Sequence, residues 1–301
     1  MGEQDVKPQV EGENLRAFTK HLLNDLRALE QMLNQGAIES GVRRVGAEQE
    51  MVLVDRNYHP AALSDQVLDA LDDERFTTEL AQFNIECNLE PVRFGGDCLH
   101  RLEEQLNGLI AVARAAARQF DADVLLTGIA PTLGQTHMSM DYITPRPRYF
   151  ALNDALQRLR GGEYEFRLHG IDELIIKHDS VMLESCNTSF QVHFQVWPEE
   201  FARRYNIAQT VLAPVLAVAA NSPLLFGKRL WHETRIGLFQ QAVDTRNTTH
   251  QADQRMGRVS FGQRWVDESV LEIFREDVSR FRVLLSSELG EDPFDALAEG
   301  R

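Results

Sequence analysis

The chain has 301 residues, 31 Lys and Arg against 46 Asp and Glu for a net charge of −15, and three cysteines. That length gives one large domain or two small ones with a real core, and a hydrophobic content of 43% excludes wholesale disorder. The acidic balance argues against a nucleic-acid or membrane-surface partner, both of which want a basic face, yet it leaves room for an anionic substrate where a metal ion or a few arginines reverse the local field.

Cys87, Cys98 and Cys186 are far apart and form no C-x-x-C pair, so they read as reduced thiols of a cytoplasmic protein rather than a disulfide framework or a cysteine zinc site. The first fourteen residues are polar and acidic, unlike a signal peptide. The longest apolar stretch, around Val211–Ala220, is too short to span a bilayer and contains Pro214.

In chain order, residues 1–13 read as a frayed tail and 14–301 as a single domain. Leu15, Phe18, Leu22, Leu26, Leu29 and Leu33 recur at helical steps, and Gly36 follows as a stop. Residues 43–55 read as a strand. Residues 82–90 alternate strictly, with Phe83, Ile85, Cys87 and Leu89 on one face and Asn84, Glu86, Asn88 and Glu90 on the other. A long helix is expected over Cys98–Phe120 and a short strand over Asp123–Thr127. The Gly-, Pro- and Thr-rich stretch 128–148 reads as a long loop, of the kind that often serves as a lid or binding loop. A helix over Ala151–Leu159 and two or three strands over 163–197 follow, ending in the alternation Ser189–Trp197. Pro198 opens a helix to about Asn221, and the last third reads as mostly helical, with Val270–Leu285 amphipathic. Strands scattered among helices without regular βαβ alternation predict an α+β fold with a mainly antiparallel sheet, helices on one face and polar chemistry on the other.

Three strands carry polar residues where the alternate face should point. Glu48 and Glu50 project together from the first; Glu86 and Glu90, with Asn84 and Asn88, from the second; Gln191, His193 and Gln195 form a stripe on the third. Glu79 lies seven residues before Glu86, near the start of that strand. Carboxylates converging on one face repel unless something cationic sits among them, and oxygen ligands with one imidazole suit Mg²⁺ or Mn²⁺. The plainer alternative is that these are solvated outer faces of ordinary strands. Arg235, Arg246, Arg255, Arg258 and Arg264 follow, either as a clamp for phosphate or carboxylate or as helix-surface ion pairs. There is no P-loop, no G-x-G-x-x-G after a strand, no H-E-x-x-H and no G-x-S-x-G elbow; the Gly95–Gly96 and Gly161–Gly162 pairs read as turns. A Cys186–His193 nucleophile pair would need the chain to fold back between them.

At this point the residues resemble a known family. Gly46-Ala-Glu-Gln-Glu-Met-Val-Leu-Val-Asp55 resembles the G-x-E-x-E opening strand of the glutamate–cysteine ligase family 2 proteins, which include bacterial carboxylate–amine ligases and are related to glutamine synthetase. Glu79 and Glu86 resemble the family's acidic pair, and Ser189–Val196 its His-bearing strand. Ala220-Asn-Ser-Pro223, Glu233-Thr-Arg-Ile236 and Asp244-Thr-Arg246 resemble its A-N-S-P and arginine region. The likeness runs in order from about residue 40 to 265.

The resemblance implies a glutamine synthetase-like catalytic fold and an ATP-dependent ligase. A substrate carboxylate, typically the γ-carboxylate of glutamate, would be phosphorylated by ATP, and an amine, typically that of cysteine, would displace phosphate to give an amide, as in glutathione biosynthesis. Carried over, Glu48, Glu50, Glu79, Glu86 and His193 would be metal ligands for Mg²⁺ or Mn²⁺. Arg235 and Arg246 would be the catalytic and nucleotide-binding arginines, and Gln191 would sit beside the metal site. The third strand, Cys186-Asn-Thr-Ser-Phe-Gln, departs from the glycine- and histidine-richer version of many relatives, which puts the acceptor pocket in question. The family usually continues past the position of Arg301, so the resemblance also implies a catalytic domain cut short at its C-terminus. Expected partners are small molecules, with a homo-oligomer left open. A non-catalytic binding homologue and a metal-dependent phosphoester hydrolase are the alternatives.

Overall fold

The computed structural model describes residues 13–246, 257–281, 283–285 and 290–300; residues 1–12 of the expected tail and Arg255 lie outside them. The chain forms the α+β architecture expected from its patterning. Helix α1 (Glu13–Gln35) precedes strand β1 (Arg44–Val54), α2 (Ser64–Leu71), β2 (Phe76–Thr78) and β3 (Asn84–Arg93). Then come α3 (Cys98–Ala117), β4 (Asp123–Leu125), α4 (Pro147–Arg160), the hairpin β5 (Tyr164–His169) and β6 (Glu173–His178), and β7 (Phe190–Phe194). A second part contains α5 (Phe201–Ala219), the short pair β8 (Leu224–Leu225) and β9 (Lys228–Arg229), α6 (Arg235–Ala242), α7 (Leu271–Arg280) and α8 (Pro293–Ala298).

The main sheet runs β2-β3-β1-β4, with β7 also paired to β1. All of its pairings are antiparallel. Strand β1 is long enough to serve two neighbours on one edge: its first half, Val45 to Gln49, pairs with β7, and its last residues, Val52 to Val54, pair with β4. Its other edge pairs with β3 in a register that sets Glu50 opposite Glu86 and Glu48 opposite Asn88.

Alternation then sorts the side chains. Val45, Ala47, Met51 and Leu53 of β1 and Ile85, Cys87 and Leu89 of β3 pack under α2 and α3, against Val67, Leu102, Leu109, Ile110 and Ala113. Gly46, Glu48 and Glu50 turn to the opposite face. That face is not bare along its whole length. At the β4 end, Val52, Val54 and Phe83 anchor a second core, built from Ile129, Leu133, Met138, Ile143, Leu156, Phe166 and Met182. The carboxylates therefore lie where an open polar face runs into a buried apolar wall.

Three expectations change. Phe83, read on the face of Ile85, Cys87 and Leu89, packs in the second core instead, because the regular strand begins only at Asn84. Residues 128–148 are no lid: Ile129, Ala130, Leu133, Met138 and Ile143 are buried, and two 3-10 turns (Gln135–Met138 and Met140–Tyr142) shape the segment. Its apolar residues lack a helical or strand period because they serve a compact loop packed into the second core. The last third is less helical than its composition suggests. Its described helices are α6, α7 and α8, of 8, 10 and 6 residues, with turns and loops between them. The glycine pairs are turns, as read: Gly161 has φ +79° and ends α4 in the left-handed region. No described helix is long and apolar enough to cross a membrane.

The second core supports the polar face, so its loss should be costly. Phe83 is fully buried and touches the rings of His137 and Tyr142 edge-on or tilted. Phe83→Ala should destabilise the chain by about 3–5 kcal/mol, whereas Ile171→Ala, at an exposed hairpin turn, should stay within about 0.5 kcal/mol; denaturant unfolding followed by circular dichroism measures both.

Candidate active site

Three of the predicted ligands meet. Glu50 from β1, Glu79 from the loop after β2 and Glu86 from β3 place one carboxylate oxygen each within 4.8 Å of one another. The strand register accounts for Glu50 and Glu86. Glu79 is delivered by a different device, since it follows β2 instead of opening β3. The Tyr149 hydroxyl donates to the Thr78 carbonyl (3.0 Å), the Thr144 hydroxyl donates to the Glu79 carbonyl (2.5 Å), and the Thr144 N–H donates to the Leu80 carbonyl (2.9 Å). The end of the 128–148 loop and the first turn of α4 thus fix the backbone that carries Glu79.

Glu50 and Glu86 are held by neighbours of their own. The Ser189 N–H donates to Glu50 Oε2 at 2.8 Å, and the Asn88 amide donates to Glu86 Oε1 at 3.0 Å. Asn84, one step back on the same strand face, is buried; its nitrogen donates to the Ser185 carbonyl, while its Oδ1 is buried without a partner.

The other two predicted ligands form a separate pair. Glu48 Oε1 lies 3.5 Å from His193 Nε2, toward the open end of the face, where the His193 side chain is half-exposed. Gln191 is the cross-strand neighbour of Glu48 and is exposed. An open cavity borders this pair, lined by Arg44, Gly46, Arg75, Asn88, Glu90 and Gln195 among others.

A fourth carboxylate was missed by the sequence reading. Glu184 sits in the 3-10 segment Val181–Cys186 and stands close enough to repel Glu50 and Glu79. The usable signal was a lone acid in the apolar run from Val181 to Cys186. The same segment places Cys186 off the strand, buried against Met138, where burial pushes its thiol well above the ordinary range, so no Cys–His nucleophile pair forms.

Among the described residues no Lys or Arg pairs with Glu50, Glu79, Glu86 or Glu184. Two unit charges 4.8 Å apart repel by about 3.5 kcal/mol at an effective dielectric of 20. Protonation is the available relief. Burial, then Glu184, pushes Glu50 up to about 7; burial, then Glu50 and Glu86, pushes Glu79 up to about 8; burial, then Glu79, pushes Glu184 up to about 8. Burial also raises Glu86. A set of oxygen donors short of positive charge, with an unpartnered amide oxygen beside it, fits a hard divalent cation.

The arginines are distributed, not clustered. Arg235 is held by Glu233 and Arg246 by Asp244, in each case an acid two residues earlier. Arg258 stacks on Phe281 and Arg264 pairs with Glu272.

The sequence pattern of Glutamate-cysteine ligase family 2 (GCS2) matches residues 44–270, which spans the strands and loops just described. None of the curated proteins compared with the chain matches it.

The raised carboxyls give the cation-free chain a defined pH dependence. Groups whose folded pKa lies above the unfolded value contribute stability that is fully present below the unfolded carboxylate pKa, near 4.3, and is lost as pH rises through about 7 to 8. The melting temperature in EDTA should therefore fall between pH 6 and pH 8.5. Added Mg²⁺ or Mn²⁺ should raise it by about 2 °C or more at pH 8.5 and by less at pH 6, where protons compete. Scanning calorimetry at constant ionic strength checks both signs.

Proposed function

We propose, from the premise that this chain belongs to glutamate–cysteine ligase family 2 and is therefore a ligase of the carboxylate–amine kind, that it uses ATP and a divalent cation to join the γ-carboxylate of glutamate to an amine such as that of cysteine. The observation that carries the reading is the convergence of Glu50, Glu79 and Glu86 within 4.8 Å, with no cationic side chain paired to them among the described residues. In this reading the substrate carboxylate is activated as an acyl phosphate and the amine displaces phosphate to leave an amide.

Glu50, Glu79 and Glu86 would hold Mg²⁺ or Mn²⁺, and Glu48 with His193, flanked by Gln191, would add ligands at the open end. When bound, the metal would neutralise charge on the transferring phosphoryl group. The chain's own residues do the rest. Asn88 and the Ser189 N–H orient two of the carboxylates. The wall formed by Val52, Phe83, Ile129 and Met182 closes one end of the face and limits water there. Arg235 and Arg246 are our candidates for contact with phosphate or substrate carboxylate. Arg235 has two guanidinium N–H groups left after Glu233 and Thr188 have taken three.

Incubating the full chain with ATP, Mg²⁺, glutamate and a panel of amines that includes cysteine should release phosphate only when both the acid and an accepted amine are present. Glu86→Gln should lower that rate by about 100-fold or more. No release across the panel would overturn the reading, and phosphate release from a simple ester without ATP would assign the carboxylates to a hydrolase instead.

A further inference from the structure

The clamp around Arg235 leads back to the carboxylate cluster. Glu233 is buried and receives Arg235 Nε on Oε1 and Nη2 on Oε2 (2.8 Å); the Ser222 hydroxyl also donates to Oε1, at 2.6 Å. Burial works to raise the Glu233 carboxyl, but hydrogen bonds from Arg235 and Ser222 hold it below the ordinary range, so it is a fixed anion. This fork–fork geometry leaves Arg235 little rotational freedom. Its remaining terminal nitrogen, Nη1, donates to the Thr188 carbonyl at 2.7 Å.

That carbonyl belongs to the peptide unit whose N–H is Ser189. The same N–H donates to Glu50 Oε2 at 2.8 Å. A cation on the oxygen of a peptide group polarises its N–H, and hydrogen bonds in such a chain strengthen one another in a low-dielectric surrounding. Thr188 is itself buried and immobilised: its N–H donates to the Gly128 carbonyl at 3.0 Å and its hydroxyl to the Thr127 carbonyl. Gly128 in turn is the residue that lets Arg235 pass. A Cβ there would lie 2.7 Å from Arg235 Nε and 2.4 Å from Asn221 Oδ1.

We infer that Arg235 is a positioning residue for Glu50, acting through the Thr188–Ser189 peptide, with Glu233, Ser222 and the bare backbone of Gly128 holding the guanidinium in register. This rests on reading Glu50, Glu79 and Glu86 as a cation site. It is separate from any contact Arg235 makes with phosphate, because it operates with no nucleotide bound.

The test is Mn²⁺ binding to the full chain without nucleotide, read by electron paramagnetic resonance, as a double-mutant cycle. Arg235→Gln should weaken Mn²⁺ binding by about 10–100-fold, and Arg235→Lys, which keeps a cation near the Thr188 carbonyl, should recover part of the loss. In a Glu50→Gln background, Arg235→Gln should change the affinity by less than about twofold, since the carboxylate through which it acts is gone. An Arg235→Gln chain with wild-type Mn²⁺ affinity, or the same loss on top of Glu50→Gln, overturns the inference. Should Arg235→Gln not melt cooperatively, Ser222→Ala carries the same cycle, with an expected loss of about threefold or more. A wild-type chain that binds no Mn²⁺ overturns the cation site itself, whereas wild-type binding with additive losses overturns only the role of Arg235.

Discussion

Mutual repulsion among Glu50, Glu79, Glu86 and Glu184 is the constraint around which the rest of the molecule is arranged. Carboxylates at this separation and burial do not stay together by preference. Either protons or a cation must reduce their charge. The fold supplies neither a lysine nor an arginine in direct contact among the described residues, so the backbone does the holding. The β1–β3 register presents Glu50 and Glu86, the Thr144 and Tyr149 anchors pin the loop bearing Glu79, and the 3-10 segment before β7 brings Glu184. The two hydrophobic cores on opposite faces of one sheet make such a placement affordable: burial of Ile85, Cys87 and Leu89 below and of Val52 and Phe83 beside the site fixes the strands, whatever the carboxylates would prefer.

Much of this was legible in the sequence because a strand has a period of two. Alternation over 84–90 and the Glu-x-Glu of β1 required their acids to share a face, and the antiparallel sheet put those faces side by side. What a period cannot show is register between strands. The sequence could not tell that Glu50 would stand opposite Glu86 while Glu48 stood opposite Asn88, and so it grouped all five candidate ligands where the structure separates Glu50, Glu79 and Glu86 from the Glu48–His193 pair. Residues 128–148 form the expected long loop but not a lid, for a related reason. Their buried apolar side chains follow no period, because their partners come from several distant segments, and a loop that packs into a core has the same composition as one that covers a ligand.

The arginines carry the sharper lesson about an acidic chain. With 46 acids against 31 bases, many of the described arginines find a carboxylate nearby, and four of them do so by the same local pattern: Asp73 with Arg75, Glu165 with Arg167, Glu233 with Arg235, and Asp244 with Arg246, each acid two residues ahead of its arginine. Such a pair presents oriented, charged N–H groups at contact but little net positive field at a distance. It can shape a site by donating hydrogen bonds without attracting polyanions from solution. In a chain of this charge, the attraction for a nucleotide would have to come from a cation held by the very carboxylates that repel it. Metal occupancy and nucleotide binding would then be thermodynamically linked. Arg235, held by Glu233 and the Thr188 carbonyl, would then serve that linkage from the far side of a peptide bond: in this reading the acidic surface and the carboxylate floor are parts of one electrostatic arrangement, in which no described Lys or Arg occupies the place among the carboxylates that a cation would take.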